Sequence, residues 1–287
     1  MPLNITPVTN HREREKGVIV YPVYSRRSAG LSIGINLFPD KKSCQFDCPY
    51  CEVFPFSSNA EFSLEQLGDD LRRAVSEAQK QNAVIKDICF SGNGEPTLSP
   101  AFPSTLKLAE DIRAQAAPSA RLVVITNGAG LLQPRIFSLL KEYALLPATD
   151  IWLKVDAGTE DWYNKINRCA TSYEKLIAVI KEFVSCAVVT IQTMLCAING
   201  EKPSETEKQA WESLVCELAA NTDKEANSID GKINVGVRKI QLYGKARSAP
   251  EDPLASQLAE GYLEGRAESL RNLFIEKEIS VPVEVYL

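Results

Sequence analysis

Cys44, Cys48 and Cys51 lie in the octapeptide CQFDCPYC, at intervals of four and three. A cubane [4Fe–4S] cluster is ordinarily held by four thiolates, so three leave one iron with an open coordination position for a small molecule. Zinc is the competitor, but a structural zinc site takes four protein ligands, commonly paired Cys-x-x-Cys halves or Cys with His. The chain has one histidine, His11, far from the trio, and no second cysteine pair. A zinc reading therefore needs a distant fourth ligand such as Cys89.

A second group of unusual residues is GNGEPT, in which Gly94 permits close backbone approach and Glu95 offers a counter-charge to a cation. Asn127 in VVITNG, Lys154 and Asp156 in WLKVDAG, and Gln192 in VVTIQTML complete a series of polar residues at the ends of apolar runs. Polar groups at the ends of strands need hydrogen-bonding partners wherever water is scarce.

The elements that position them are legible from periodicity. GLSIGINLF (30–38) reads as a strand running into the cysteine loop. Leu64, Leu67, Leu71, Ala74, Val75 and Ala78 recur at helical spacing, and IKDICFSG follows as a second strand. Helical and strand patterns then alternate through RLVVITNG, DIWLKVDAG, AVVTIQTML and VRKIQLYG. Six strands separated by helices require parallel pairing, because each return crossing needs a helix-length connection. In a barrel all strand ends converge on one rim, where such folds carry their active sites. The expected fold is thus α/β, a partial (β/α)6 barrel of parallel strands. The reading gives it an N-terminal basic arm (1–29), a barrel domain (30–247) and a C-terminal helical and strand extension (248–287) packed on the barrel. The polar stretch near 221–232 reads as a mobile loop.

Composition limits the function classes. Of the 287 residues, 45% are hydrophobic and 24% charged, ordinary for a globular protein rather than a disordered or membrane chain. No apolar run approaches the ~20 residues of a membrane span, and no signal peptide is evident, so a cytoplasmic protein without a membrane partner is expected. In that reducing compartment the eight cysteines are ligands, catalysts or core residues rather than disulfides. Residues 1–42 hold seven Lys or Arg against three Asp or Glu, a net of +4 that leaves −9 for the rest. A basic arm could meet nucleic acid or another phosphate-bearing partner, with Arg26 and Arg27 folding over the barrel mouth, or be a solvated tail. Lys245 and Arg247 could grip an anionic substrate, and Cys196 could act as a hydrogen donor. Cys89 reads as core.

The C-x-x-x-C-x-x-C spacing, with Tyr50 just before the last cysteine, resembles the signature of the radical S-adenosylmethionine superfamily. GNGEPT resembles that family's glycine-rich motif after the second strand. The resemblance implies a [4Fe–4S] cluster on Cys44, Cys48 and Cys51, with S-adenosylmethionine on the open iron. It implies Tyr50, Gly94, Glu95, Asn127, Lys154, Asp156 and Gln192 as cofactor-binding residues. The implied activity is reductive cleavage of S-adenosylmethionine to a 5′-deoxyadenosyl radical that takes hydrogen from a substrate, small molecule or nucleic acid. An external electron donor such as flavodoxin or ferredoxin is implied too. INLFPDKKSCQFDCPYCEV, FSGNGEPTL, VDAGTEDWYNKINR and IQLYGKARSAPED look most like the iron–sulfur oxidoreductase branch that includes the tRNA wyosine-base synthases, although no cysteine precedes Cys44 to hold their second cluster. Two other classes stand beside this one: a cluster- or zinc-bearing protein without catalysis, docking RNA through its arm, and a methyltransferase on the same fold.

Overall fold

The structure, a computed structural model, describes residues 17–286 except 221, 223, 229, 230 and 260. His11 and most of the basic arm lie outside the described residues. The chain divides into two compact units.

The first unit comprises residues 17–44, 53–125 and 148–150. Its strands are β1 (Val20–Ser25), β2 (Gly30–Ile35), β3 (Ile85–Phe90) and β4 (Arg121–Thr126), with helices α1 (Leu64–Lys80) and α2 (Phe102–Ala116). β2 pairs in parallel with β3, and β3 with β4. α1 starts where Ser63 caps it by accepting from Gln66 N, and it buries Leu67, Leu71, Ala74, Val75 and Ala78, the face foreseen from spacing. Only Leu64 departs, staying 37% exposed. Phe90 and Phe102, both fully buried, meet edge to face with centroids 5.5 Å apart.

β1 was not expected. It pairs antiparallel with β2 from Val20↔Ile35 to Ser25↔Gly30, carrying part of the supposed arm into the sheet. Arg26 and Arg27 therefore sit in the tight turn that leads into β2, at the opposite end of that strand from the cysteine loop. In this position they do not fold over the strand's C-terminal end.

The second unit comprises residues 45–52, 126–147 and 151–286. It holds α3 (Pro134–Ala144), most of β5 (Thr149–Lys154), α4 (Glu160–Ile166), α5 (Tyr173–Val184), β6 (Val188–Leu195), the two-residue β7 (Ala197–Ile198) and α6 (Glu205–Ala219). β8 (Lys224–Ser228), β9 (Gly231–Gly244), β10 (Ala255–Ser256), α7 (Tyr262–Glu276) and β11 (Val283–Tyr286) follow. β6 pairs in parallel with both β5 and β9, and β11 adds in parallel to β9. The stretch read as a mobile loop is instead a β8–β9 ribbon, paired antiparallel from Lys224↔Val235 to Ser228↔Gly231.

The main sheet runs β1-β2-β3-β4-β5-β6-β9-β11. β2, β3, β4, β5, β6 and β9 are the six foreseen strands, each followed by helix, so order and connectivity are those of a partial (β/α)6 barrel. β1 and β11 extend it on either side. No helix among the described residues is long and apolar enough to cross a membrane.

Candidate active site

In the first unit, the end of β2 is stitched to the loop after β3. The buried Asn36 accepts from Phe38 N and from Asn93 N, each at 3.1 Å, and donates to Val18 O at 2.9 Å. Ser43 N donates to Asn93 O at 2.9 Å and Glu95 N to Ser43 O at 2.8 Å, so the residue before Cys44 forms a parallel bridge with Gly94. The glycine is required there, since a Cβ would stand 1.7 Å from Ser43 O and 2.6 Å from its carbonyl carbon. Glu95 is 3% exposed and caps the turn Pro96–Leu98, its Oε1 accepting from Thr97 N and Oγ1 at 3.2 and 2.7 Å. The neck of the cysteine loop is closed by the bridge Lys41↔Ser57.

Gly94→Ala cannot be accommodated by rotating a side chain, because its neighbour is backbone. Overpacking of this kind costs ~1–3 kcal/mol. The expected result is a melting temperature lower by several degrees and reduced iron uptake on anaerobic reconstitution, checked by thermal unfolding and iron analysis. Wild-type values for both would refute this account of the loop.

In the second unit, the carboxylate of Asp156 gathers the groups at the ends of β5, β6 and β9. It accepts from the Tyr50 hydroxyl, from Asn167 Nδ2 at 3.0 Å and from Met194 N at 2.9 Å, and pairs with Lys154 Nζ at 3.2 Å. The Lys154 ammonium also bonds the Tyr243 hydroxyl and lies 4.9 and 5.0 Å from the ring centroids of Tyr50 and Tyr243. Burial alone would disfavour this cation, but Asp156, Tyr243 and Cys48 outweigh it, and the Lys154 pKa is raised. Burial, then Asp156, likewise hold the Tyr50 phenol well above its usual range, so it stays a donor.

Local sequence explains the placement of Asp156. In DAGTEDW, Thr159 caps α4 by accepting from Trp162 N, and Glu160 and Asp161 face the positive end of the helix. Gly158 is needed because a Cβ would stand 2.0 Å from Trp211 N on α6, and its own N–H donates to Glu207 Oε1 at 2.6 Å.

The cysteine loop is held at both flanks in this unit. Asp47 N donates to Asn167 O at 3.0 Å, and Phe46 packs edge-on against Tyr163 with centroids 5.9 Å apart. Beyond the trio, Arg247 pairs with Glu52 at 2.9 Å. Lys245 pairs with Asp252 at 2.5 Å. These two cations, read as grips for an anionic substrate, are thus engaged in ion pairs with the protein. Burial and then Asp156 push the Cys48 thiol up to about 11, while Lys154 and hydrogen bonds from Asn167 and Tyr50 oppose them.

Asn127 is buried, with Oδ1 accepting from Ala129 N at 2.9 Å. Gln192 is wholly buried and donates from Nε2 to Gln241 Oε1 at 2.7 Å, across the register pair Gln192↔Gln241. Cys89 and Cys196 are buried in the cores of their units, and burial raises both thiols, Cys196 to about 12. Sequence reasoning passed over Asn36, Asn167 and Tyr243. Asn36 was signalled only as an amide within an apolar run, whereas Asn167 and Tyr243 lie in stretches that resemble the family without a local feature that singles them out.

All eight cysteines are free thiols. Among the described residues no three His, Cys, Asp or Glu side chains already stand as a metal cage, so the ligand assignment rests on loop spacing and donor type.

A model of the Radical SAM superfamily matches residues 41–208. A UPF0026 protein of Helicobacter pylori (strain J99 / ATCC 700824) is 28% identical over 171 residues, 55% of this chain and 52% of that protein. The chain thus spans about half the length of the curated relatives it matches. Streptococcus suis SuiB bound to S-adenosylmethionine superposes with a TM-score of 0.61 at 13% identity, covering 86% of this chain and 49% of that one. A structure of TYW1 with a lysine-pyruvate adduct gives 0.52 at 16% identity, covering 85% and 73%. At these identities the likeness is one of fold.

Proposed function

The chain belongs to the radical SAM superfamily, and we propose that it uses a single [4Fe–4S] cluster and S-adenosylmethionine to start catalysis by hydrogen abstraction from its substrate. The superfamily's cofactors are that cluster and S-adenosylmethionine. The residues fit them: three free thiols at intervals of four and three, no histidine among the described residues, and a fixed cation beside an apolar loop. When bound, the cofactors supply one-electron cleavage of the sulfonium.

The protein's part is to hold and shield. Cys44, Cys48 and Cys51 would be the ligands, each releasing its thiol proton to solvent as iron takes its place on the sulfur. Gly94 and Glu95 would face the methionine ammonium, and Asn127 and Gln192 the ribose or carboxylate. Asp156, whose carboxylate already serves four donors, acts by fixing Tyr50 and Lys154. Lys154, its charge favoured by those neighbours, serves as a standing cation for an anionic group and not as a general base near neutral pH. Residues 30–247 would form the catalytic barrel, with β1 added at the edge of its sheet and the segment from 248 as an extension. A reductant of the flavodoxin or ferredoxin type in the cytoplasm would feed the cluster, and the reaction class is oxidoreductase.

The observation that carries this reading is the three-thiol loop itself, bound through Tyr50, Asp47 and Glu52 to residues that follow the parallel strands. Anaerobically reconstituted protein with dithionite and S-adenosylmethionine is expected to release 5′-deoxyadenosine. Zinc in place of iron, with no such release, would favour a non-catalytic metal protein.

A further inference from the structure

Asn167 follows the last turn of α4 and is 3% exposed. Its side-chain amide has two N–H bonds to give, and Nδ2 lies 3.0 Å from Asp156 Oδ2 and 3.5 Å from Cys48 Sγ. The carboxylate fixes the direction of that amide, because flipping it would turn a carbonyl oxygen toward Asp156. The backbone works separately. Asn167 O accepts from Asp47 N at 3.0 Å and lies 3.9 Å from Cys48 Sγ. Arg168, held at φ 45°, donates from Nε to Asp47 O at 2.8 Å and pairs with Glu251 at 2.5 Å. The clasp on the loop is thus made by the Asn167 main chain and by Arg168, which leaves the Asn167 side chain as an aimed donor onto one sulfur.

We propose that Asn167 is a positioning residue that directs an N–H onto the Cys48 sulfur and thereby sets the reduction potential of the cluster held there. The inference rests on the cluster reading above. A donor at a ligand sulfur stabilises the more negative, reduced cluster more than the oxidised one, which raises the potential, and outer partners of this type tune metal sites. Asp156 contributes by holding the donor in line. The same carboxylate thereby fixes Tyr50, Lys154 and the amide that faces Cys48.

The test is a redox titration of the holoprotein followed by electron paramagnetic resonance. Asn167→Leu keeps the branched shape and removes both N–H bonds, while Asn167→Gln retains an amide. The leucine variant is expected to show a tenfold loss of reduced-to-oxidised ratio at fixed potential, a shift of ~59 mV to more negative values for a one-electron couple. The glutamine variant is expected to recover part of it. A leucine variant with the wild-type midpoint overturns the proposal. Should that variant take up no cluster, wild-type protein labelled with ¹⁵N in its asparagine side chains decides by pulsed resonance. A nitrogen coupling to the reduced cluster that is lost in Asn167→Gln or weakened there supports the assignment, and no coupling overturns it. Wild-type protein that binds no [4Fe–4S] cluster would instead refute the cluster reading, and this inference with it.

Discussion

Cys48→Ala is expected to abolish release of 5′-deoxyadenosine, by a factor above ~100, more than the 10–100-fold that loss of an outer partner of a metal ligand typically costs. Three thiolates are the fewest the proposed cluster can have while presenting one open iron, so no spare ligand exists within the loop. Alanine also leaves the Asn167 amide, 3.5 Å from the sulfur in the wild type, without that acceptor. Cys186→Ala is the matched control, since the Cys186 thiol donates to backbone carbonyls of Glu182 and Phe183 at the end of α5. Iron content and nucleoside release should be unchanged in that variant. Release retained by Cys48→Ala would remove the ligand assignment.

Asp156→Leu is expected to be strongly destabilising in the second unit. It removes an acceptor from Tyr50, Asn167 and Met194 N and strands the Lys154 ammonium, whose side chain is 14% exposed. Breaking one side of a buried pair costs ~3–5 kcal/mol, largely because the remaining charge is uncompensated. The double variant Lys154→Met/Asp156→Leu should therefore be more stable than Asp156→Leu alone, and denaturant unfolding of the set measures the difference. The pH dependence has a definite sign. Because the folded pKa of Lys154 is raised, its contribution is complete below the unfolded value of ~10.4 and is lost as pH rises through the folded one. In Asp156→Leu burial favours the neutral amine, so the gap between wild type and this variant should be widest near neutral pH and narrow as pH rises, closing further above ~10.4. A double variant no more stable than the single one would show that Lys154 is not the stranded charge.

Much of the fold was legible because amphipathic helices and apolar parallel strands write their period into the chain. α1 buries the residues that spacing selected apart from Leu64, and the six parallel strands fall where the apolar runs do. β1 escaped because VYPVYS contains Pro22, which cannot donate to a ladder and argues against a strand unless that strand lies at an edge, as β1 does. β8 escaped because KEANS has no apolar alternation, and its pairing comes from the adjacent segment rather than from burial. α4, at seven residues, is too short for a periodic signal. Among site residues, the ends of the apolar runs marked Lys154, Asp156 and Gln192. Asn167 reaches Cys48 across 119 positions, a proximity only the folded topology creates.

β11 has a consequence for biosynthesis. Val283–Tyr286 covers the flank of β9 formed by Ile240–Tyr243, so 38 residues must be made after β9 is complete before that flank finds its partner. During the interval the growing polypeptide presents open amide and carbonyl groups beside Ile240 and Leu242, a template on which another nascent copy can dock. Ribosomal stalling in the α7 region would prolong that exposure, making expression yield sensitive to codon choice between positions 245 and 282.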